Sequence, residues 1–246
     1  MRFTLTGLLI GVNVLAFIWQ KTTYGGVDYD HGYLSPQLAL QYGEWWRVFT
    51  AAFLHGNETH LALNMLSLLW LGTPAEMVFG RVRFAVLYII AIVGSGLAVV
   101  YFSSTWGIPA LGASGAIYGL MGALGAVGLR LGTRGRALLM RILPVLVLNL
   151  GLSFAFPFIS VAAHVGGLIA GFLAGLVLVM GRRAYAEQFA ATFVPPPPPV
   201  AMPAGATRPG ETIENAPEPE TIEHPPDAGP HEEADAPPLH VRDPRE

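Results

Sequence analysis

The sequence predicts an all-α membrane protein with six transmembrane helices and a disordered C-terminal tail. Only 13% of its 246 residues are charged, against about 25% in typical soluble domains. Residues 84–129 and 142–181 contain no Asp, Glu, Lys or Arg, and about 20 apolar residues suffice to span a membrane. This composition excludes a nucleic-acid binder and a soluble α/β enzyme. The absence of cysteine excludes a disulfide framework and a Cys-ligated metal site.

The formal charge divides the chain into two predicted domains, a membrane domain at residues 1–183 and a tail at 184–246. The first carries eleven basic and five acidic residues, and the second carries three and twelve. Fifteen of the 20 prolines lie from Pro195 onward, in a stretch with few apolar residues. Such a segment buries too little apolar surface to fold, so we expect a Pro-rich, acidic, disordered tail. The proline run is typical of a solvated spacer, the interpretation we favour, or of a docking site for a Pro-binding partner.

Six apolar segments account for the membrane domain. Their predicted bounds are roughly residues 5–19, 51–71, 84–102, 114–129, 137–156 and 161–181. The long uncharged run must break once, and residues 103–113, with Gly, Pro and Ser, provide the break.

The basic residues predict the orientation. With six spans, nine arginines fall on one side, whereas only Lys21 and Arg47 fall on the other. Cytoplasmic loops carry the excess of Lys and Arg, so both termini are expected in the cytoplasm. No transit-like segment precedes the first span, which favours a prokaryotic plasma membrane.

Polar side chains inside apolar spans are costly and usually mark function. Four such residues are notable here, namely His60, Asn64, Ser114 and His164. Ser114 precedes Arg130 by 16 residues, and His164 precedes Arg182 by 18. At 1.5 Å per residue these separations are roughly 24 and 27 Å, so the serine and the histidine lie at nearly one depth. Asn64 falls in the same outer layer if its helix continues to Arg81.

Small residues predict that the fourth and sixth spans touch. Glycines recur at spacings of three and four in the fourth span, and the sixth carries Ala163, Gly167, Gly171 and Gly175. Such stripes let membrane helices approach closely. Packing alone could account for the glycines, but it leaves the matched depth of serine and histidine unexplained. The favoured interpretation is a Ser114–His164 pair.

Histidine can take the proton that makes a serine a nucleophile. No Asp or Glu lies at the matching depth, so the arrangement would be a dyad rather than a triad. Tyr118 follows Ser114 by one turn and could pack against the imidazole, or it could be an ordinary packing aromatic.

Acyl transfer also requires hydrogen-bond donors for the oxyanion. His60 and Asn64 lie one turn apart on the second span, and the backbone N–H of Ser114 lacks an intrahelical partner. We favour these three as oxyanion donors over a purely structural cross-link by His60 and Asn64. His55 lies nearer the outer boundary, and we expect a structural role for it.

The sequence resembles the rhomboid family of intramembrane serine proteases across about residues 44–175. The matching motifs are Trp46-Arg47, His60-x-x-x-Asn64, Gly72-x-x-x-Glu76-x-x-x-Gly80, Gly112-Ala-Ser114-Gly115 with Tyr118, and His164 with Gly167 and Gly171. The resemblance implies Ser114 as nucleophile and His164 as general base. It also implies His60, Asn64 and the Ser114 backbone as oxyanion stabilisers, Tyr118 stacked on His164, and a supporting role for Gly112 and Gly115.

The predicted activity is hydrolysis of peptide bonds in or near transmembrane segments of membrane-protein substrates. No cofactor or metal is expected, and the expected partners are these substrates and the lipid bilayer. One alternative is a non-catalytic membrane chaperone or adaptor with the same fold. Another is a transporter, which predicts matching broken spans in the two halves, and the sequence contains none.

The loop between the first two spans predicts a short interfacial helix. Ser35 can cap it and Pro36 can occupy its first position. Arg47 could hydrogen-bond loop carbonyls or lipid phosphate, and we favour an interfacial anchor without a role in chemistry.

Overall fold

The computed structural model describes residues 4–25, 32–103, 110–155, 159–181 and 183–191. Within these ranges the structure is helical, with an isolated antiparallel bridge between Leu34 and Ala110. This confirms the all-α class. The helices are α1 (Leu5–Tyr24), α2 (Pro36–Tyr42), α3 (Arg47–Thr50), α4 (Glu58–Phe79), α5 (Arg81–Phe102), α6 (Ser114–Arg130), α7 (Arg136–Ala155), α8 (Val161–Leu178) and α9 (Arg183–Ala191).

Five of the described helices are long and apolar enough to cross a membrane, namely α1, α4, α5, α7 and α8. Helix α6 has 17 residues and is mostly buried. It packs against α4, α5, α7 and α8 and so forms the centre of the bundle. The chain is an integral multi-pass membrane protein, as the sequence predicts.

The predicted bounds of the second span were wrong at both ends. Residues Ala51–Phe53 form a separate 3₁₀ turn, and α4 begins only at Glu58. The Asn57 side chain accepts a hydrogen bond from the His60 backbone N–H and caps this later start. At the other end the helix continues through Pro74 to Phe79. An internal proline removes one backbone hydrogen bond without forcing the helix to end.

Three other helix ends differ from the prediction by three to five residues. Helix α1 continues past its apolar part to Tyr24, where Gly25 caps it with φ 73°. Helix α5 begins at Arg81, and α8 ends at Leu178. Arg83 donates hydrogen bonds to the carbonyls of Leu178 and Met180, which satisfies the end of α8.

The glycine stripes are sites of backbone contact between α6 and α8. A Cβ atom added to Gly167 would lie 2.0 Å from the Gly115 carbonyl oxygen. One added to Gly171 would lie 2.0 Å from the Gly119 carbonyl oxygen. Real side chains cannot occupy these positions, so the two backbones approach as the sequence predicts.

Arg47 holds the loop between α1 and α4 from inside the protein. Its side chain is buried, ion-pairs with Glu44 and donates to the Tyr33 carbonyl at 3.1 Å. The predicted hydrogen bond from Arg47 to a loop carbonyl is therefore confirmed, and the role of this loop as an interfacial anchor stays a prediction. The predicted helix after Ser35 is also confirmed, with the Ser35 hydroxyl accepting from the Leu38 N–H.

The boundary predicted at residue 184 falls inside a helix. Helix α9 packs against α4, and Ala186 is fully buried. The apolar contact of this helix stabilises a segment that composition assigned to the tail. The proline run and the rest of the predicted disordered tail, residues 192–246, lie outside the described residues.

Candidate active site

Ser114 is the first residue of α6 and follows a tight loop. Gly112 in this loop adopts φ +112°, which L side chains rarely adopt, and its N–H donates to the Ala51 carbonyl at 2.8 Å. A Cβ at Gly112 would lie 2.8 Å from the Nε2 atom of His60. The glycine therefore lets the loop before the serine close against the histidine of α4.

Gly115, the residue after Ser114, also allows a close contact. A Cβ at this position would lie 2.0 Å from the Ser95 hydroxyl of α5. Because glycine has no Cβ atom, the first turn of α6 lies directly against α5. The two glycines therefore fix where the Ser114 hydroxyl stands.

Ser114 and His164 are joined by a hydrogen bond. The distance between Ser114 Oγ and His164 Nε2 is 2.8 Å, and His164 is buried in the first turn of α8. Ser160 caps that turn by accepting from the Ala163 N–H. The spacing from Arg130 and Arg182 predicted one membrane depth for these two side chains. They are brought together where the glycines of α6 and α8 let the two backbones touch.

Two further side chains hold the imidazole. The Tyr118 ring stacks on it, with ring centroids 4.1 Å apart and planes 13° apart. On the far nitrogen, His164 Nδ1 lies 2.7 Å from the Ser153 hydroxyl of α7. Tyr118 was predicted from the sequence, whereas Ser153 was not. Ser153 lies four positions after Asn149, and residues 142–155 are otherwise apolar, so that spacing is the signal that could have indicated it.

His60 and Asn64 lie on the α4 side of the site. The Gly56 N–H donates to His60 Nδ1 at 3.3 Å, so Nδ1 is an acceptor and Nε2 carries the proton. That Nε2–H faces Gly112, next to Ser114. Asn64 donates one amide hydrogen to the His60 carbonyl at 2.8 Å, and its second amide hydrogen is left for another acceptor.

His55 lies behind His60 and is fully buried. Its ring packs edge-on against His60, with centroids 5.2 Å apart. The Gln20 amide of α1 fixes its backbone, donating to the His55 carbonyl at 2.9 Å and accepting from the His55 N–H at 3.2 Å. Burial, and secondarily the neighbouring His60, lowers the pKa of His55 from 6.5 to about 4.

This burial of His55 predicts a pH dependence of stability. Between pH 6.5 and about 4 the unfolded chain binds a proton at His55 that the folded protein does not. The contribution of His55 to stability is therefore complete above pH 6.5 and is lost as the pH falls toward 4. Thermal unfolding in detergent across this range should show a shallower decline for His55→Asn than for the unsubstituted protein. Equal slopes would contradict the assignment.

The site opens into a cavity of about 780 Å³. Its lining includes Ser114, His164, His60, Asn64 and Tyr118, together with Ser153. The described parts of the chain contain no group of three or more His, Cys, Asp or Glu side chains placed to hold a metal ion. The polar side chains that line this cavity are hydroxyls, imidazoles, amides and one indole.

The fold and the site define a class, a multi-pass helical membrane protein whose interior cavity contains a hydrogen-bonded serine–histidine pair. The family model described as the rhomboid domain matches residues 42–181. The chain belongs to the rhomboid family.

Named relatives agree with this assignment. Rhomboid protease GluP of Bacillus subtilis is 36% identical over 71% of this chain and 35% of its own length. RHOMBOID-like protein 5 of Arabidopsis thaliana is 36% identical over 57% of this chain and 46% of its own length. The putative rhomboid protease YdcA of Bacillus subtilis is 34% identical over 59% and 73%, respectively. The chain thus covers less than half of the length of each of the first two relatives.

Proposed function

We propose that this protein is an intramembrane serine endopeptidase that hydrolyses peptide bonds in or near transmembrane segments of membrane proteins. The observation that carries the proposal is the 2.8 Å hydrogen bond between Ser114 Oγ and His164 Nε2 in a cavity inside the bundle. Membership of a family with relatives named as proteases supports it. In this proposal residues 1–183 form the catalytic membrane domain, both termini are cytoplasmic and the membrane is a prokaryotic plasma membrane.

The first half of the reaction forms an acyl enzyme. Ser114 Oγ bonds to the carbonyl carbon of the scissile peptide while its proton passes to His164 Nε2. The electron pair of the broken π bond moves to the carbonyl oxygen. The electron pair on the oxygen then re-forms the carbonyl as the C–N bond breaks, and His164 gives its proton to the leaving nitrogen, which releases the new amino terminus.

The oxyanion is stabilised by donors on two elements. His60 supplies Nε2–H, Asn64 supplies its second amide hydrogen, and the first turn of α6 supplies the Ser114 N–H, which has no intrahelical acceptor. These groups stand close to Gly112 and Ser114 in the structure. Donors fixed before the reaction stabilise the developing charge without reorganisation.

The second half of the reaction repeats the proton transfers with water. His164 takes a proton from the water as its oxygen bonds to the acyl carbon, and returns it to Ser114 Oγ as the ester bond breaks. The cavity supplies room for this water beside the polar side chains. The products are a new carboxyl terminus and a regenerated serine.

A transmembrane substrate must unwind before this chemistry. Its carbonyls are held in internal hydrogen bonds, because lipid offers no alternative partners. We therefore expect preferred substrates to contain helix-breaking or small residues near the cleaved bond. The substrate helix enters laterally, from the bilayer.

The proposal is tested by incubating purified protein in detergent with a single-span substrate and measuring product. The unsubstituted protein should cleave it, and Ser114→Ala should lower the rate by about 10⁶-fold, as in soluble serine proteases. Ser103→Ala, at the end of α5, is a matched serine control and should retain activity. Equal cleavage by Ser114→Ala would contradict the proposal, and no cleavage by any form would favour the adaptor alternative.

A further inference from the structure

We propose that Ser153 is a positioning residue that fixes the tautomer and the orientation of His164. This inference rests on the proposed function of the Ser114–His164 pair and adds a third member that is neither an acid nor a neighbour in sequence. Ser153 lies near the end of α7 and is 2% exposed. Its hydroxyl oxygen is 2.7 Å from His164 Nδ1.

The direction of this hydrogen bond follows from the proton on the Ser153 hydroxyl. A serine hydroxyl has one proton to donate and two lone pairs. Ser153 donates that proton to the Asn149 carbonyl at 2.9 Å, the usual bond of a serine to the preceding helical turn. Its oxygen can then interact with His164 only as an acceptor, so the proton of the neutral imidazole resides on Nδ1.

The protonation of Nδ1 determines what Nε2 can do. A neutral imidazole carries one proton, so Nε2 presents a lone pair. That lone pair faces Ser114 Oγ at 2.8 Å and can take its proton. In the other tautomer Nε2–H would point at the serine, and the imidazole could not act as its base.

Tyr118 supports the same arrangement from the other side. Its ring stacks on the imidazole, and its hydroxyl lies 3.4 Å from Ser153 Oγ. Because the Ser153 proton is already donated, Tyr118 is the donor in this contact. One side chain of α6 thus contacts both the imidazole face and the group that orients it.

The surroundings of the two serines differ, and they favour Ser114 rather than Ser153 as the nucleophile. The hydroxyl proton of Ser153 is donated to a backbone carbonyl, and its own backbone lies inside α7, where N–H groups are used within the helix. Ser114 instead begins a helix beside Gly112, His60 and the amide of Asn64. The same imidazole therefore contacts two serines in different roles.

Enzyme kinetics test the positioning role. Ser153→Ala should lower kcat by roughly 10- to 100-fold, the scale found for partners that orient a histidine ligand, with KM unchanged. Ser153→Thr keeps the hydroxyl and should restore most of the kcat. Leu148→Ala, an exposed position on the same helix, should behave as the unsubstituted protein. Wild-type kcat in Ser153→Ala would overturn the inference.

A spectroscopic measurement tests the tautomer without relying on activity. The full chain, labelled with ¹⁵N-histidine, contains seven histidines, and the His164 signals are identified by their loss in His164→Asn. At a pH where His164 is neutral, the proton should be on Nδ1, and Ser153→Ala should transfer part of that population to Nε2. A proton on Nε2 in the unsubstituted protein would overturn the inference even if Ser153→Ala failed to fold.

The two proposals fail in different ways. If Ser114→Ala cleaves as fast as the unsubstituted protein, the proposed function is wrong, whatever the tautomer of His164. If Ser114→Ala is inactive while Ser153→Ala retains full kcat, the function stands and the positioning role is wrong.

Discussion

Replacing His164 with alanine is expected to lower kcat by about 10⁶-fold, the loss seen when one member of a serine–histidine unit is removed. Ser114 then has no base at 2.8 Å to take its proton, and no acid replaces the one that protonates the leaving nitrogen. The measurement is product formation from a single-span substrate by purified protein in detergent. His164→Gln keeps most of the side-chain volume without a base and should be as inactive.

A double variant gives this prediction its control. Members of one catalytic unit are strongly non-additive, so the Ser114→Ala/His164→Ala double variant should be no slower than either single variant. A double variant that loses activity multiplicatively would contradict a shared role. Retention of activity by His164→Ala would show that another group is the base.

Replacing Gly112 with alanine is expected to have the largest effect after the loss of Ser114 or His164. The backbone adopts φ +112°, and the new Cβ would lie 2.8 Å from two atoms of the His60 ring. Either the loop before Ser114 shifts or His60 is displaced from the position in which we propose that it stabilises the oxyanion. Loss of one oxyanion donor alone costs about 10²- to 10³-fold in kcat, and we expect at least that loss in the cleavage assay.

Gly125 provides a matched glycine for comparison. It lies within α6, whereas Gly112 lies in the loop before that helix, and a Cβ at Gly125 would meet nothing within 4 Å. Gly125→Ala should retain activity, because alanine is favoured over glycine in a helix interior. Equal losses at Gly112 and Gly125 would mean that the contact with His60 is not the cause of the loss at Gly112.

The lengths of the apolar segments and the spacing of their glycines predicted the bundle, because both features can be seen within the sequence of a single helix. The bounds of α4 could not be obtained in this way. Residues 51–57 are apolar enough to belong to a span, but the turn and the Asn57 cap that separate them depend on local hydrogen bonds. Helix α9 was missed because composition cannot show that Ala186 is buried by tertiary packing.

The depth argument predicted which helices present Ser114 and His164 at one level, and the structure places the two within hydrogen-bonding distance. Spacing alone could not predict Ser153, because a carboxylate is the usual partner of a catalytic imidazole and none lies at this depth. A serine can do the same when its own proton is donated to a backbone carbonyl, as it is to Asn149. The burial of Arg47 was also beyond the sequence, because its partners, the Tyr33 carbonyl and Glu44, come from the folded loop.

The identity of the nucleophile is tested most directly by covalent labelling. A fluorophosphonate forms a stable phosphonyl ester with a serine only where a base removes the proton and fluoride can leave. After reaction of the full-length protein in detergent, digestion and mass spectrometry of the adduct should locate the label on Ser114, and labelling should be lost in His164→Ala. A label on Ser153, or equal labelling of Ser114 in His164→Ala, would contradict the proposed roles of Ser114 as nucleophile and His164 as base.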